Sequence, residues 1–177
     1  MRTIRKALLA AAAVLALAPA SASAFTGISV GAPVSASLSS ATIAFGSFAS
    51  CTGANFGGSI TTNAGAGSGG TFSFATATFG GCSMLGSAAT VTAESLPWSW
   101  SHYGTYGTAN LSVKLVNPAF SCRYTGSLGF NYTATSGAMA YAGSLVRIPV
   151  SGPLCPLTVA VSGTQRLLDG AALPVQP

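Results

Sequence analysis

Residues 71–79 read TFSFATATF, and this short stretch decides the fold class of the chain. Phe72 and Phe74 alternate with small or hydroxyl-bearing residues, which is the period-two pattern of a β-strand with one buried face. Glycine and serine cluster before the stretch at 65–70, and two glycines follow it at 80–81, as turns between strands require. The stretch therefore predicts one strand between two turns.

The same alternation recurs along the chain after residue 24. Further runs of this kind lie at 89–93, 111–115, 120–125, 128–132, 145–148 and 157–161. No stretch in this part of the chain sets apolar residues at i, i+3 and i+4 opposite a charged face, so no amphipathic helix is expected. About ten short strands with frequent turns predict an all-β domain. We expect a two-layer β-sandwich of Greek-key or jelly-roll type.

The N-terminal 24 residues have the composition of a secretory signal peptide. Three basic residues within 1–6 precede an apolar run at 7–18, and small residues at 22–24 match a cleavage pattern. The apolar run is shorter than the roughly 20 residues that a membrane-spanning helix needs. We therefore expect residues 1–24 to be removed and residues 25–177 to be exported as a single domain without a membrane span.

Charge is scarce in the expected mature chain. Removing the three basic residues of the signal segment leaves two carboxylates and four cations, a net charge of +2. The four cations are scattered along the sequence at Lys114, Arg123, Arg147 and Arg166. A nucleic-acid partner needs a clustered basic patch, so none is expected. Charged residues are 5% of the chain, against about a quarter in ordinary soluble domains, so hydroxyl, amide and small apolar groups must form the surface.

Four cysteines in an exported chain predict two disulfides, because the compartment is oxidising. Cys51 and Cys122 lie in strand patterns, whereas Cys82 and Cys155 lie in turn-like contexts, and the two Cys-to-Cys segments weakly repeat each other. We read the repeat as two β-halves packed face to face. We favour pairing like with like, Cys51 with Cys122 and Cys82 with Cys155; pairing in sequence order is the close alternative. The wide spacings do not suit zinc, and neither a metal nor a cofactor is expected.

Residues 94–106, ESLPWSWSHYGTY, form the most distinctive segment. Both tryptophans and His102 alternate with serines, so an extended backbone places the three rings on one face. We favour a core position for the tryptophans, as is common for large aromatic side chains. The alternatives are an oligomer contact and an exposed platform for sugars or small apolar ligands. The candidate binding residues of that platform are Trp98, Trp100, Tyr103 and Tyr106.

Several short motifs resemble those of known secreted proteins. Phe79-Gly-Gly-Cys82, the segment from Val91 to Leu-Pro-Trp98, and Cys122-Arg-Tyr-Thr-Gly-Ser127 are similar to motifs of a group of small secreted actinobacterial β-proteins of unknown function. More distantly, the chain resembles the protein activator of alkane oxidation family, which comprises secreted surface proteins linked to biofilms. The resemblance covers residues 51–155. It implies a secreted β-protein associated with the cell surface and lends no catalytic residue.

The inventory of reactive residues argues against an enzyme. Glu94 and Asp169 are the only carboxylate side chains and His102 is the only histidine, whereas glycosidases and Ser-His-Asp hydrolases need such groups in close sets. The sequence has neither a G-x-S-x-G elbow nor a phosphate-binding loop.

We therefore expect a secreted, non-enzymatic structural or cell-surface protein that serves adhesion, the envelope or a biofilm matrix. The partners expected on this interpretation are cell-wall components, polysaccharide or further copies of the chain. The alternative is an extracellular binding module for glycans or small apolar ligands.

Overall fold

A computed structural model of the protein describes residues 30–31, 33–38, 42–63, 69–103, 105–133 and 138–167. The expected signal peptide at 1–24 and Asp169 lie outside these residues. No helix occurs in the described ranges, and β-strands make up most of them. The all-β prediction is confirmed.

Within these ranges the chain forms strands β1 to β11. Their bounds are β1 (Pro33–Leu38), β2 (Ile43–Phe45), β3 (Ala49–Asn63), β4 (Gly70–Met84), β5 (Ser87–Ala88), β6 (Thr90–Ala93), β7 (Trp98–Tyr103), β8 (Tyr106–Val116), β9 (Ser121–Thr133), β10 (Ala138–Arg147) and β11 (Thr158–Leu167).

The sheet closes on itself as an antiparallel barrel. Strands that follow each other along the chain pair side by side, as β3 with β4, β8 with β9, β9 with β10, and β10 with β11. Strands β1 and β2 each pair with both β3 and β11, which joins the first strands to the last. Strands β1 and β2 are short and together occupy one position in the barrel, and β6 and β7 together occupy another. The barrel therefore has eight strand positions, and β5 pairs with the end of β4.

The expected two-layer sandwich is therefore wrong, although both architectures are all-β. A barrel and a sandwich demand the same alternation of inward and outward residues along each strand. The difference lies in the pairing of the first and last strands, which periodicity does not encode. The two repeat segments form the β3–β4 and β9–β10 hairpins, and the strand order places these hairpins on opposite sides of the barrel.

Two irregularities in the long hairpin of β3 and β4 help the sheet to curve. The register shifts between Gly57 and Gly58 and again between Ile60 and Thr62. A Cβ atom on Gly58 would collide with the backbone carbonyl of Ser73, so only glycine allows this close approach. Bulges of this kind bend long strands and are a common device of barrel closure.

Large apolar side chains fill the barrel interior. At its centre the rings of Phe72, Phe74 and Phe130 surround Trp100, with ring centroids 5.1 to 5.6 Å from that indole. Each such ring removes about 150–250 Å² of surface from water, which makes this cluster a main source of stability. Apart from the buried tyrosines and tryptophans, the buried polar residues include His102, Ser112 and Gln165.

Candidate functional site

Strand β7 directs the two tryptophans into the barrel. Burial alternates along the strand, so that Trp98 and Trp100 are 2% and 1% exposed and His102 is also buried. The intervening Ser99 and Ser101 face outward. The three rings do share one face, as the alternation predicts, but that face is the core. A surface platform built on the tryptophans does not form.

The two indole rings have different polar surroundings. The indole nitrogen of Trp98 donates a hydrogen bond to the backbone carbonyl of Glu94 at 2.8 Å, and the ring packs against Phe56 and Phe79. The indole nitrogen of Trp100 is buried with no hydrogen-bond partner among the described residues. Of the two indole N–H groups, only that of Trp98 has a hydrogen-bond partner among the described residues.

The two candidate tyrosines lie apart from the tryptophans, at the turn between β7 and β8. Tyr103 and Tyr106 are cross-strand partners, and they are 71% and 70% exposed. We call the end of the barrel that carries this turn the tyrosine end. The structure thus divides the four candidate residues into a buried pair and an exposed pair.

The cysteines pair in sequence order. Cys51 bonds to Cys82 and Cys122 to Cys155, so all four are in disulfides. The favoured pairing across the two halves is wrong, because each bond closes one half. Cys51 and Cys82 are directly opposed in the β3–β4 register, and Cys122 at the start of β9 meets the loop after β10. Two disulfides are compatible with an extracellular protein.

Both disulfides lie at one end of the barrel, opposite the tyrosine end. The start of β3, the end of β4, the start of β9 and the end of β10 meet there because neighbouring strands are antiparallel. We call it the disulfide end. Phe48 stacks on Phe120 and contacts the edge of Tyr124, and these rings close the interior at this end.

An exposed apolar segment projects from the disulfide end. The loop at 148–157, IPVSGPLCPL, contains no charged residue. Val150, Leu154 and Leu157 in this loop are 73%, 70% and 70% exposed. We call residues 148–157 the apolar loop. Sequence reasoning missed it, although three prolines beside aliphatic residues within ten positions were a visible signal of a non-strand apolar segment.

The apolar loop is tied to the barrel at several points. Cys155 anchors it through the disulfide to β9. The Arg147 guanidinium donates hydrogen bonds to the backbone carbonyls of Cys155 at 2.8 Å and Gly152 at 3.4 Å. The Ser151 hydroxyl accepts from the Arg123 backbone N–H at 2.8 Å and donates to its carbonyl at 3.1 Å. These contacts fix the backbone of the loop that carries the exposed aliphatic side chains.

Two of the few charged side chains are paired with each other. The Glu94 carboxylate pairs with the Arg123 guanidinium at 3.1 Å, in a partly exposed position. No group of three or more histidine, cysteine, aspartate or glutamate side chains that could hold a metal lies within the part of the chain that the structure describes.

Two buried tyrosines have raised pKa values. Burial raises the pKa of Tyr124 to about 12, and the positive charge of Arg147 partly opposes this rise. Burial also raises the pKa of Tyr141, and the neighbouring Gln165 side chain acts in the opposite sense. Both phenols therefore keep their protons to a higher pH than an exposed tyrosine does.

A shallow groove runs along the outer face of the barrel beside Tyr106. Its volume is about 320 Å³, and the outward-facing Gly129, Ala140 and Ala142 leave it open because they are small. The exposed Asn131 is the cross-strand partner of Tyr106 and also lines the groove. We call this the surface groove. Its lining carries no charged side chain.

Comparison with known proteins finds no matching family model, no similar curated protein and no similar solved structure. The family resemblance of the sequence motifs therefore stays a prediction. Among the described residues, no helix is long and apolar enough to cross a membrane.

Proposed function

We propose that the protein is a secreted, non-enzymatic barrel that attaches to apolar surfaces of the cell envelope through the apolar loop. The observation that carries this proposal is the exposure of Val150, Leu154 and Leu157 on a loop fixed by a disulfide and by Arg147. Aliphatic groups held in water without a partner gain free energy when an apolar surface covers them.

The rest of the surface supports the same proposal. Glu94 and Arg123 neutralise each other, and outward positions of the strands are mostly serine, threonine, alanine and glycine. Such a surface offers little electrostatic repulsion to contact with an envelope. A rigid loop also loses less conformational entropy on binding than a flexible one.

Adsorption of the purified mature protein to octyl-coated beads tests this proposal. Burying one Val or Leu side chain contributes about 1.5–3 kcal/mol, so replacing Val150 and Leu154 with serine should weaken adsorption at least about ten-fold. The matched control replaces Tyr103 and Tyr106 with serine, because they are equally exposed at the opposite end. Equal adsorption of the two double variants would contradict the proposal.

Sedimentation of the same purified protein distinguishes surface attachment from self-association. We expect the wild-type protein to sediment as a monomer in solution at concentrations where it adsorbs. If Val150→Ser/Leu154→Ser instead converts an oligomer into a monomer, the apolar loop is a contact between copies of the chain and the proposal is wrong.

The surface groove favours a second candidate function, the binding of a neutral glycan. An exposed tyrosine ring stacks on a sugar ring, an amide such as that of Asn131 bonds its hydroxyls, and a volume of 320 Å³ fits one or two sugar rings. The neutral lining suits an uncharged ligand.

Filling the floor of the surface groove tests glycan binding. A Cβ atom on Gly129 would meet only the carbonyl of Ala142, at an ordinary 3.8 Å, so Gly129→Val should fold normally. We expect this variant and Tyr106→Ser to abolish retardation in gels that contain wall polysaccharide, with Tyr103→Ser as the control. No retardation of the wild-type protein by any wall polysaccharide would exclude this function.

A further inference from the structure

Most cations of the barrel are gathered at the disulfide end. Lys114, Arg123 and Arg147 each lie within two residues of the strand ends that meet there, which are the end of β8, the start of β9 and the end of β10. Arg166 is exposed next to the opposite end of β11. Glu94 is the only carboxylate side chain among the described residues, and it pairs with Arg123. The disulfide end therefore has a net positive charge.

Two of these cations lie beside the apolar loop. The backbone carbonyl of Arg123 accepts hydrogen bonds from the Ile148 N–H at 2.9 Å and the Ser151 hydroxyl at 3.1 Å. Lys114 is the cross-strand partner of Arg123. The residues on either side of each cation are buried, so both cationic side chains face outward. Like charges opposite each other cost folding free energy, and a bound anionic group would relieve this cost.

A further exposed aliphatic side chain lies across the disulfide end from the apolar loop. Leu85, in the turn after β4, is exposed and has a φ of 52°, a left-handed conformation in which glycine or asparagine is more usual than leucine. Its N–H donates to the Phe48 carbonyl at 3.0 Å. Phe48 stacks on Phe120, which directly precedes β9, the strand that holds the apolar loop. Exposed aliphatic groups therefore flank this aromatic pair on two sides.

We propose, on the basis of the proposed function, that the apolar surface to which the disulfide end attaches is a lipid bilayer with anionic headgroups. A bilayer places acyl chains beneath charged headgroups, and the disulfide end combines exposed aliphatic side chains with outward cations in the same way. Leu85 and the apolar loop enter the interface, while the long side chains of Lys114 and Arg123 reach lipid phosphates. The tyrosine end then points away from the membrane.

Cosedimentation of the purified mature protein with lipid vesicles tests this inference. We expect weak binding to phosphatidylcholine vesicles and binding at least several-fold tighter when phosphatidylglycerol is included, because each cation near an anionic surface contributes about a factor of five in affinity. High salt should remove this gain, because it screens the charges. Equal binding to the two vesicle types, or no binding to either, would overturn the inference.

A matched pair of charge variants locates the electrostatic contact. Lys114→Gln should weaken binding to the anionic vesicles about five-fold and leave binding to phosphatidylcholine vesicles unchanged. Arg166→Gln is the control, because it removes the same charge at the opposite end of the barrel. Equal losses in the two variants would show that net charge alone is responsible and would contradict contact through the disulfide end.

A substitution in the turn after β4 tests the apolar part of the contact. Leu85→Asn removes the aliphatic side chain and supplies a residue that tolerates the left-handed conformation, so the turn should keep its shape. We expect this variant to bind both vesicle types several-fold more weakly, and Leu85→Met to bind as the wild type does. Unchanged binding of Leu85→Asn would contradict a contact on both sides of the disulfide end.

The octyl-bead assay separates failure of this inference from failure of the proposed function. If the wild type adsorbs to the beads through the apolar loop and yet shows no preference for anionic vesicles, it attaches to another apolar surface and only the bilayer inference is wrong. If Val150→Ser/Leu154→Ser adsorbs to the beads as well as Tyr103→Ser/Tyr106→Ser does, the proposed function is wrong, and the bilayer inference fails with it.

Discussion

The two ends of the barrel share one aromatic interior but differ in how they are held and in what they expose. The disulfide end contains both cystines and presents aliphatic side chains such as Leu154. The tyrosine end presents two phenol rings at a tight turn, and no cystine lies there among the described residues.

This difference suggests a division of roles between the ends. The Cys122–Cys155 bond ties the apolar loop, which forms no strand, to β9. The turn that carries Tyr103 and Tyr106 is short and paired on both sides, so strand pairing alone positions its rings. On the proposed function, attachment belongs to the disulfide end; the tyrosine end is the site of the alternative proposal, glycan binding.

The largest expected effect concerns the interior that both ends share. Trp100→Ala would leave a cavity among Phe72, Phe74 and Phe130, and such a change costs about 3–5 kcal/mol of unfolding free energy. Both ends should lose function together as the barrel unfolds. Denaturant unfolding measures the change, with the exposed Tyr106→Ala as control at about 0.5 kcal/mol or less. A cost for Trp100→Ala similar to that of the control would show that the ring is not in the core.

Removing the disulfides one at a time separates stability from loop shape. Their sequence separations, 31 and 33 residues, are nearly equal. Each disulfide should therefore contribute a similar free energy of unfolding, about 2–4 kcal/mol. Only replacing Cys122 and Cys155 with serine frees the apolar loop. At a temperature where both double variants are folded, we expect thermolysin to cut within residues 148–157 only when Cys155 is replaced. Equal cutting without the Cys51–Cys82 bond would refute this role.

A smaller effect is expected in alkali at the disulfide end. The folded-state pKa of Tyr124 is raised to about 12 from 10.0, so the unfolded state loses its proton first as the pH rises. The contribution of the Tyr124 phenol to the unfolding free energy is fully present below pH 10 and is lost as the pH rises through about 12. We expect Tyr124→Phe to lose less unfolding free energy between pH 9 and pH 11 than the wild type. Parallel pH profiles would contradict the raised pKa.

The smallest expected effect comes from the Glu94–Arg123 ion pair. The side chains are 23% and 42% exposed, and pairs near water contribute about 0–1 kcal/mol. Glu94→Gln should lower the unfolding free energy by less than about 1 kcal/mol, and high salt should remove the difference because it screens the charges. A larger loss that salt does not alter would mean that the Glu94 side chain has a further role.

The sequence predicts the strands well because alternation is a local property. The runs at 71–79, 111–115 and 128–132 all lie in strands, and both tryptophans occupy the core, the interpretation that was favoured. Closure of the sheet depends on β1 and β2 pairing with β11, more than a hundred residues away, and alternation carries no information about that register.

The sequence left the cystine pairing open between two alternatives, and the apolar loop was missed, for related reasons. The bond between Cys51 and Cys82 follows from their being opposite each other in one hairpin, and this depends on the register of two 15-residue strands with shifts between them. In the apolar loop, Val150 and Leu154 have the composition of core residues. Only the fold shows that they point away from the barrel.

Fractionation of cells that export the protein tests the central claim most directly. We expect the wild type and the Tyr103→Ser/Tyr106→Ser variant to be recovered with the envelope, and the Val150→Ser/Leu154→Ser variant to be released into the medium as a folded monomer. Recovery of all three in the medium, or of all three with the envelope, would contradict attachment through the apolar loop.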